Sequence, residues 1–172
     1  MTDPTQPPGA VDADQLGLAY RVIRHGSVRS LAEAAVARGV EPIDVVKTMV
    51  VRRGEGDFVF VLVPGDRVIS WPKLRSLLGV NRLSMPDADE ALAVTGYPRG
   101  TITPFGAKSA LPVIADARLS GRTITLGAGV NNTAIAVDAD EAVVALHAQV
   151  ADITDPDQPL TDPATSPHLG ER

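Results

Sequence analysis

The chain has 172 residues, and its 16 Lys and Arg against 21 Asp and Glu give a formal net charge of −5. This balance argues against a nucleic-acid partner, because binding through counterion release needs clustered cations. The negative charge is concentrated at the ends, however: residues 1–16 carry −3, residues 151–172 carry −4 and residues 17–150 carry +2. The net charge therefore does not exclude an RNA substrate for the central part.

The prolines are also concentrated at the two ends, with three of the 14 in residues 1–10 and four in 155–172. Segments this poor in apolar residues cannot offset the entropy of ordering them, so both ends are predicted to be disordered. We expect an acidic N-terminal segment over 1–16, one folded domain over 17–154 and an acidic, proline-rich disordered tail over 155–172. The central part has the usual length of a single domain.

Several classes of protein are excluded by what the sequence lacks. There is no cysteine, so neither a disulfide nor a thiolate metal site is expected. His25, His147 and His168 lie far apart, and we expect no metal and no cofactor. No signal peptide is visible, and the longest apolar run, Phe58–Val63, is far too short to cross a membrane. A cytoplasmic protein without a membrane partner is expected.

The first half of the chain alternates strands with short helices. Ser30 and Glu33 have the spacing of a capping box, and two β-rich runs on either side of the Gly-containing turn Arg53–Asp57 predict a hairpin. In chain order we predict a strand over 20–25, a helix over 31–38, hairpin strands over 45–52 and 58–63, a short strand over 67–70 and a helix from 71 to 79.

The second half contains a long segment without a periodic pattern. A helix over 87–94, acidic at its start, is followed by the irregular stretch 95–110 and by strands over 111–116, 123–126 and 134–137. Asp138 and Glu141 cap a last helix, predicted over 139–149. Since strands and helices do not alternate as βαβ units, the fold class is α+β with a mixed sheet.

Three features are candidates for chemistry, and each has a plain structural alternative. Lys47 lies within a strand that is apolar on both faces, so its side chain either snorkels at a sheet edge or faces a cleft. The stretch 95–110 holds three glycines and two prolines, which suits either a covering loop or a rigid receptor of main-chain N–H groups. Gly127–Asn132 is either a turn or a second loop that converges on the same cleft. No nucleophile elbow or catalytic triad is present.

The segments VKTMVV (46–51), TGYPRGTITPFG (95–106) and ITLGAGVNN (124–132), in this order, resemble the YbaK/EbsC-type aminoacyl-tRNA deacylase family. This family is related to the editing domain inserted in bacterial prolyl-tRNA synthetases, and the resemblance covers about residues 17–154. It implies a single compact domain with a central, mixed, barrel-like β-sheet flanked by helices. The implied activity is trans-editing, the hydrolysis of the ester between a wrong amino acid and the tRNA 3′ end.

The resemblance also assigns roles to particular residues. Lys47 matches the family's essential lysine, and Gly100 opens a Gly-x-x-x-Pro loop whose main-chain amides are expected to hold the substrate carbonyl; these two are the expected catalytic positions. His25 falls at a cleft-lining position. The remaining expected substrate-binding positions all lie in the two glycine-containing loops: Tyr97, Thr101, Pro104, Gly127, Gly129 and Asn131.

Two positions depart from the family pattern. Thr101 stands where a second glycine is usual and is expected to narrow the pocket, and Gly127 stands where the family often has serine. Because that serine handles the substrate in the members that act on cysteinyl-tRNA(Pro), its absence leaves the amino acid that is removed unassigned. The basic residue that usually follows is replaced by Val130 or Asn131.

The implied partners are the mischarged tRNA 3′ end and an aminoacyl-tRNA synthetase, with no DNA, and the protein is expected to be a monomer or a weak homodimer. Attack on an activated ester by water or by a substrate group needs no protein nucleophile, which agrees with the lack of a triad. The alternative is a non-catalytic module of the same fold that recognises a tRNA end, a synthetase or a small ligand.

Overall fold

The computed structural model describes residues 6–157 as a mixed α and β structure. The two ends of the chain, residues 1–5 and 158–172, lie outside the described residues, and most of the predicted acidic tail lies there. The helices are α1 (Pro8–Gln15), α2 (Leu31–Arg38), α3 (Trp71–Leu78), α4 (Ala88–Thr95) and α5 (Ala139–Ala145). The strands are β1 (Tyr20–Arg24), β2 (Lys47–Gly54), β3 (Asp57–Val63), β4 (Arg67–Ile69), β5 (Val113–Asp116), β6 (Thr123–Gly127), β7 (Thr133–Asp138), β8 (Gln149–Ala151) and β9 (Thr154–Pro156).

The strands form three sheets. One is antiparallel with the order β1-β7-β6, one has the order β2-β3-β5-β8, and β4 pairs with β9. In the four-stranded sheet β2 runs antiparallel to β3, whereas β3-β5 and β5-β8 are parallel, so this sheet is mixed. The predicted α+β class is confirmed, but the sheets do not close into a barrel: β6 joins the chain just before β2 through an isolated bridge between Val45 and Thr125.

Strand β3 is buried on both faces and divides the core in two. Successive side chains of a strand point to opposite faces, so Phe58, Phe60 and Leu62 pack into the larger apolar cluster with β6 and β7. Val59, Val61 and Val63 pack on the other face with Leu74 of α3. This arrangement explains why the run Phe58–Val63 is continuously apolar rather than alternating.

The predicted helix starts are confirmed by their caps. The Ser30 hydroxyl accepts a hydrogen bond from the Glu33 amide (3.0 Å), as the capping box requires. The Asp87 and Asp138 carboxylates accept in the same way from the amides three residues later, at 2.8 and 2.9 Å. These caps fix where α2, α4 and α5 begin.

The predicted last helix is too long. Helix α5 ends at Ala145, and His147 adopts a positive φ of 54° that ends the helical path. The chain then forms β8, in which Val150 pairs with Ala115 of β5. Val150 has the helical spacing of the α5 apolar residues, but its partner is a strand distant in sequence, which local periodicity cannot reveal.

The N-terminal segment is not disordered from residue 8 onward. Helix α1 begins at Pro8, its Ala10 and Ala13 are fully buried, and the Gly9 amide donates to the Ala128 carbonyl (2.9 Å). At the other end β9 extends the folded part into the predicted tail. Within residues 6–157 no helix is both long and apolar enough to cross a membrane.

Candidate functional site

A cavity of about 380 Å³ runs along the free edge of β2. Its other walls come from the C-terminal end of α2, from the segment before α4, from α4 itself, from the irregular stretch after α4 and from the end of β6. The residues that line it are Arg38, 45–50, Met85, Pro86, Ala91, Arg99, Gly100, Ile102 and Gly127.

The free edge of β2 presents main-chain groups to this cavity. The Val46 amide donates to the Thr125 carbonyl (2.9 Å), and the Arg52 amide donates to the Ser84 carbonyl (2.7 Å), so both point away from β3. Main-chain amides two residues apart in a strand point in the same direction, so the amides of Thr48 and Val50 also face the cavity. In this stretch of edge, β2 pairs with no other strand of the described residues.

Lys47 lies where this cavity meets a second, smaller one. Its half-buried ammonium donates to the Arg67 carbonyl at 2.5 Å, so it does not reach out to solvent as a snorkelling lysine would. Burial lowers the pKa of Lys47, and the charges of Asp157 and Asp66 oppose that shift. The second cavity, of about 230 Å³, is mainly apolar and is lined by Lys47, Met49, Val63, Val68, Ile69, Trp71 and Met85.

The irregular stretch after α4 places Gly100 on the cavity wall. The Thr101 amide donates to the Pro98 carbonyl (3.1 Å), which closes a tight turn, and Gly100 within it has a φ of +90°. Only glycine adopts this conformation readily, although a Cβ there would meet open space. The Thr101 hydroxyl donates to the same Pro98 carbonyl (2.8 Å) and its side chain is buried, so Thr101 does not narrow the cavity as expected.

Gly127 lies where β6 and the irregular stretch approach each other. A Cβ at this position would lie 3.0 Å from the Ile102 carbonyl oxygen and 3.1 Å from that of Thr101. Close by, the Gly129 amide donates to the Thr101 carbonyl (3.0 Å), which joins the two segments. At position 127 two main chains are therefore in close contact.

Tyr97, Pro104 and Gly129 support the cavity wall from behind rather than line it. The buried Tyr97 hydroxyl donates to the Phe105 carbonyl (2.8 Å), and burial, with the Asp12 charge, raises the pKa of Tyr97 to about 12. Pro104 is buried, and the Tyr97 ring packs where a side chain at Gly129 would lie. The structure does not place these three residues on the cavity surface, and their contacts with a substrate remain predictions.

His25 and Asn131 are also away from the cavity. The His25 amide donates to the Asn132 carbonyl (3.0 Å), and its Nδ1 lies 2.8 Å from the Gly26 carbonyl oxygen. Asn131 is exposed, and its carbonyl accepts a hydrogen bond from the Thr133 hydroxyl (3.0 Å). Of the nine predicted site residues, the structure thus brings Lys47, Gly100 and Gly127 together at one cavity.

Two arginines that sequence reasoning missed also line the cavity. Arg38 is the last residue of α2, and its Nη1 donates to the Thr125 hydroxyl (3.0 Å). Arg99 is exposed and donates to the Pro86 carbonyl (3.0 Å). With Lys47 they make three cations, whereas no carboxylate of the described residues lines this cavity. Such a site suits an anionic ligand.

The chain matches the family model of the aminoacyl-tRNA editing domain over residues 25–143, more than half of its length, and it belongs to this family. The proline–tRNA ligase of Trichlorobacter lovleyi is 40% identical over 88 residues, 51% of this chain and 15% of the ligase. The corresponding ligase of Bacillus licheniformis is 30% identical over 107 residues, 62% of this chain and 18% of the ligase. The chain thus spans less than a fifth of these two relatives.

Solved structures show the same fold. A candidate trans-editing enzyme for prolyl tRNA synthetase superposes with a TM-score of 0.80 at 25% identity, over 90% of this chain and 99% of that one. A protein described only as hypothetical gives a TM-score of 0.76 at 29% identity, over 83% and 96% of the two chains. The family expected from the three motifs is confirmed, and the chain is an aminoacyl-tRNA editing domain similar to trans-editing proteins of the prolyl system.

Proposed function

We propose that this chain is a trans-editing hydrolase that removes a wrongly attached amino acid from the 3′-terminal adenosine of a tRNA. The observation that carries the proposal is the meeting of Lys47 and Gly100, from separate segments, at one cavity lined by cations. Membership of the editing family and the similarity to a candidate trans-editing enzyme support it.

The reaction is the addition of water to the ester carbonyl. The water oxygen bonds to the carbonyl carbon, and the carbonyl electron pair moves onto its oxygen. As that pair returns, the bond to the ribose oxygen breaks, and the ribose oxygen takes up the proton that the water has lost. The products are a free amino acid and a tRNA that ends in a free hydroxyl.

The cavity favours attack by water over attack by a protein side chain. Among the described residues that line it, Lys47 and Thr48 carry the only amine and the only hydroxyl, and none carries a thiol, an imidazole or a carboxylate. We assign the positioning of the water to the neighbouring ribose hydroxyl of the substrate. An activated ester then gains chiefly from orientation and from stabilisation of the developing oxyanion.

Lys47 acts as a cationic anchor in this mechanism. Its Nζ donates to the Arg67 carbonyl, and this fixed position supports a role as an anchor. We assign its remaining N–H donors to polar atoms of the acylated 3′ end, and the main-chain amides of the Gly100 turn to the substrate carbonyl. Such fixed donors need little reorganisation when charge develops on the carbonyl oxygen.

A deacylation screen over alanyl-, seryl- and cysteinyl-tRNAs tests the proposal. Lys47→Ala should lower kcat/KM by about 100-fold or more, the usual effect of removing one preorganised donor. Lys73→Ala is the matched control, because Lys73 is a partly exposed lysine that pairs with Asp152 (3.1 Å) and Asp155 (3.3 Å) instead of lining the cavity. Its kcat/KM should remain that of the wild type.

Two outcomes would count against the proposal. If the wild type releases no amino acid from any of these tRNAs, hydrolysis is not its activity on these substrates. If it also binds an uncleavable amide analogue of aminoacyl-adenosine tightly, the non-catalytic binding module is the better description. Equal loss in Lys47→Ala and Lys73→Ala would remove the special role of Lys47.

A further inference from the structure

Arg38 is a half-buried arginine without an ion pair among the described residues, as are Arg67 and Arg75, but of these three Arg38 alone lines the cavity. Two other half-buried arginines do have carboxylate partners. Arg122 pairs with Asp44 at 2.5 Å, and Arg118 pairs with Asp116 at 3.2 Å. The Arg38 guanidinium has no carboxylate partner in the described part of the chain, and its one hydrogen bond goes to the Thr125 hydroxyl. Burial lowers the pKa of Arg38, and no nearby carboxylate opposes that shift. A desolvated cation without a counter-charge calls for an anion from outside the chain.

Unsatisfied polar atoms cluster at the same place. Within residues 6–157, three buried side-chain polar atoms lack a hydrogen-bond partner, and two of them, Arg38 Nε and Thr48 Oγ1, belong to residues that line this cavity. Unpaired buried polar atoms are costly, so they are rare unless a ligand or an ordered water satisfies them. A polar ligand in the cavity would supply hydrogen-bond partners to these two atoms.

We infer that Arg38 binds the phosphate group of the substrate's 3′-terminal nucleotide; this inference rests on the proposed function. A planar guanidinium matches a phosphate through two parallel N–H···O bonds, whereas a lysine offers only a point charge. The aminoacyl group carries a cationic amino group, with which the Arg38 guanidinium cannot pair. The phosphate is the anionic part of the same nucleotide, so it is the group that Arg38 attracts.

Arg38 and Arg99 have different places along the free edge of β2. Arg38 bonds to Thr125, which pairs with the start of the edge, and Arg99 bonds to Pro86, close to Ser84 at its far end. Arg99 is exposed and its charge is screened by solvent, whereas Arg38 is half-buried, so a phosphate contact there is stronger. Specific recognition of one phosphate is therefore assigned to Arg38.

The test compares two substrates that differ only in this phosphate. These are the 3′-O-aminoacyl esters of 5′-AMP and of adenosine, with alanine, serine or cysteine as the amino acid. The wild type should hydrolyse the AMP ester with a kcat/KM about 10- to 100-fold higher, the usual effect of a charged hydrogen bond. Arg38→Ala should reduce this preference to near one, because it should lower kcat/KM for the AMP ester much more than kcat/KM for the adenosine ester. Arg38→Lys should retain part of the preference.

Arg75→Ala serves as the matched control. Arg75 also lies in the last turn of an eight-residue helix that ends at a glycine, is also half-buried and lines neither of the two cavities described above. This variant should keep the full preference for the AMP ester. If Arg38→Ala also keeps it, or loses activity equally on both esters, Arg38 does not bind the phosphate.

Binding measurements separate a failure of this inference from a failure of the proposed function. If the wild type hydrolyses neither ester, the editing activity is wrong, but titrations with 5′-AMP and with adenosine still test the phosphate site. Tighter binding of 5′-AMP that disappears in Arg38→Ala supports it. Equal affinity of the wild type for 5′-AMP and adenosine, with or without hydrolysis, overturns it.

Discussion

Adding a single methyl group at Gly127 tests how closely the two main chains around the cavity approach each other. In Gly127→Ala the new Cβ would lie 3.0 Å from the Ile102 carbonyl oxygen and 3.1 Å from the Thr101 carbonyl oxygen. Ordinary contacts of this kind are longer by a few tenths of an ångström, so one of the segments has to move. Both neighbours are main-chain atoms, which cannot rotate away as the end of a flexible side chain can.

The cost follows from comparable overpacking in well-packed sites, about 1 to 3 kcal/mol. For a domain of this size that free energy lowers Tm by roughly 3 to 9 °C. Thermal unfolding followed by circular dichroism measures the shift. Gly26→Ala is the control, because Gly26 has no positive φ and no atom within 4 Å of the added Cβ, so its Tm should not fall.

A double-mutant cycle of Gly127→Ala and Thr101→Gly tests whether the segment that contains Thr101 is what restricts residue 127. The Thr101 hydroxyl and amide both bond to the Pro98 carbonyl and hold the opposing segment in place. Replacing Thr101 by glycine should let that segment shift, so Gly127→Ala should cost less in the Thr101→Gly background than in the wild type. If Gly127→Ala has the Tm of the wild type, or if the two changes are additive, the close approach does not restrict residue 127 and the reasoning fails.

Two further predictions concern stability. The Tyr97 pKa of about 12 lies above that of an unfolded tyrosine, near 10, so between these pH values the unfolded state binds fewer protons. The unfolding free energy should therefore fall from pH 10 to 12 more steeply in the wild type than in Tyr97→Phe; parallel pH profiles of urea denaturation would contradict this. Asp116 is 1% exposed and accepts from the Ile153 amide (3.2 Å) and the Thr154 hydroxyl (3.0 Å). Asp116→Ala should cost about 3 kcal/mol in the same denaturation assay, and a loss below about 1 kcal/mol would show that this carboxylate does not hold β9 in place.

Local rules predicted most of the helices and strands because their signals lie within a few residues. The capping pair Ser30 and Glu33 and the C-terminal Gly39 mark both ends of α2 without reference to the rest of the chain. Helix α1 was missed for the opposite reason. Its buried Gly9 and Ala10 are small residues that carry almost no apolar signal, and they are ordered by contact with the distant Ala128.

The candidate site was predictable where a residue was unusual in its own segment. Lys47 interrupts an apolar strand, and Gly100 lies in a glycine- and proline-rich stretch, so both were visible in the sequence. Arg38 follows an ordinary pattern, a basic residue in the last turn of a helix. Its place at the cavity depends on the bridge between Val45, just before β2, and Thr125 of β6, which no local pattern encodes.

The net charge of the chain is not carried mainly by its two ends, and this bears on how the ends would affect tRNA binding. Most carboxylates near the chain ends belong to the described structure: Asp12 accepts from the Gly106 amide (2.8 Å), and Asp152 pairs with Arg118 (2.7 Å). Residues 6–157 hold 15 Lys and Arg and 18 Asp and Glu, a net charge of −3, so the two ends outside the described residues contribute −2. The acidity is thus not confined to tails that could be removed.

Truncation after residue 157 tests this view, because it removes a net charge of only −1. So small a change in net charge should leave tRNA affinity within about twofold at physiological salt. Arg38→Ala removes one cation from the cavity and should reduce the slope of log affinity against log salt concentration by about one. A truncated chain that binds tRNA tenfold more tightly would show that residues 158–172 compete with the substrate, and the cavity cations would then not dominate the affinity.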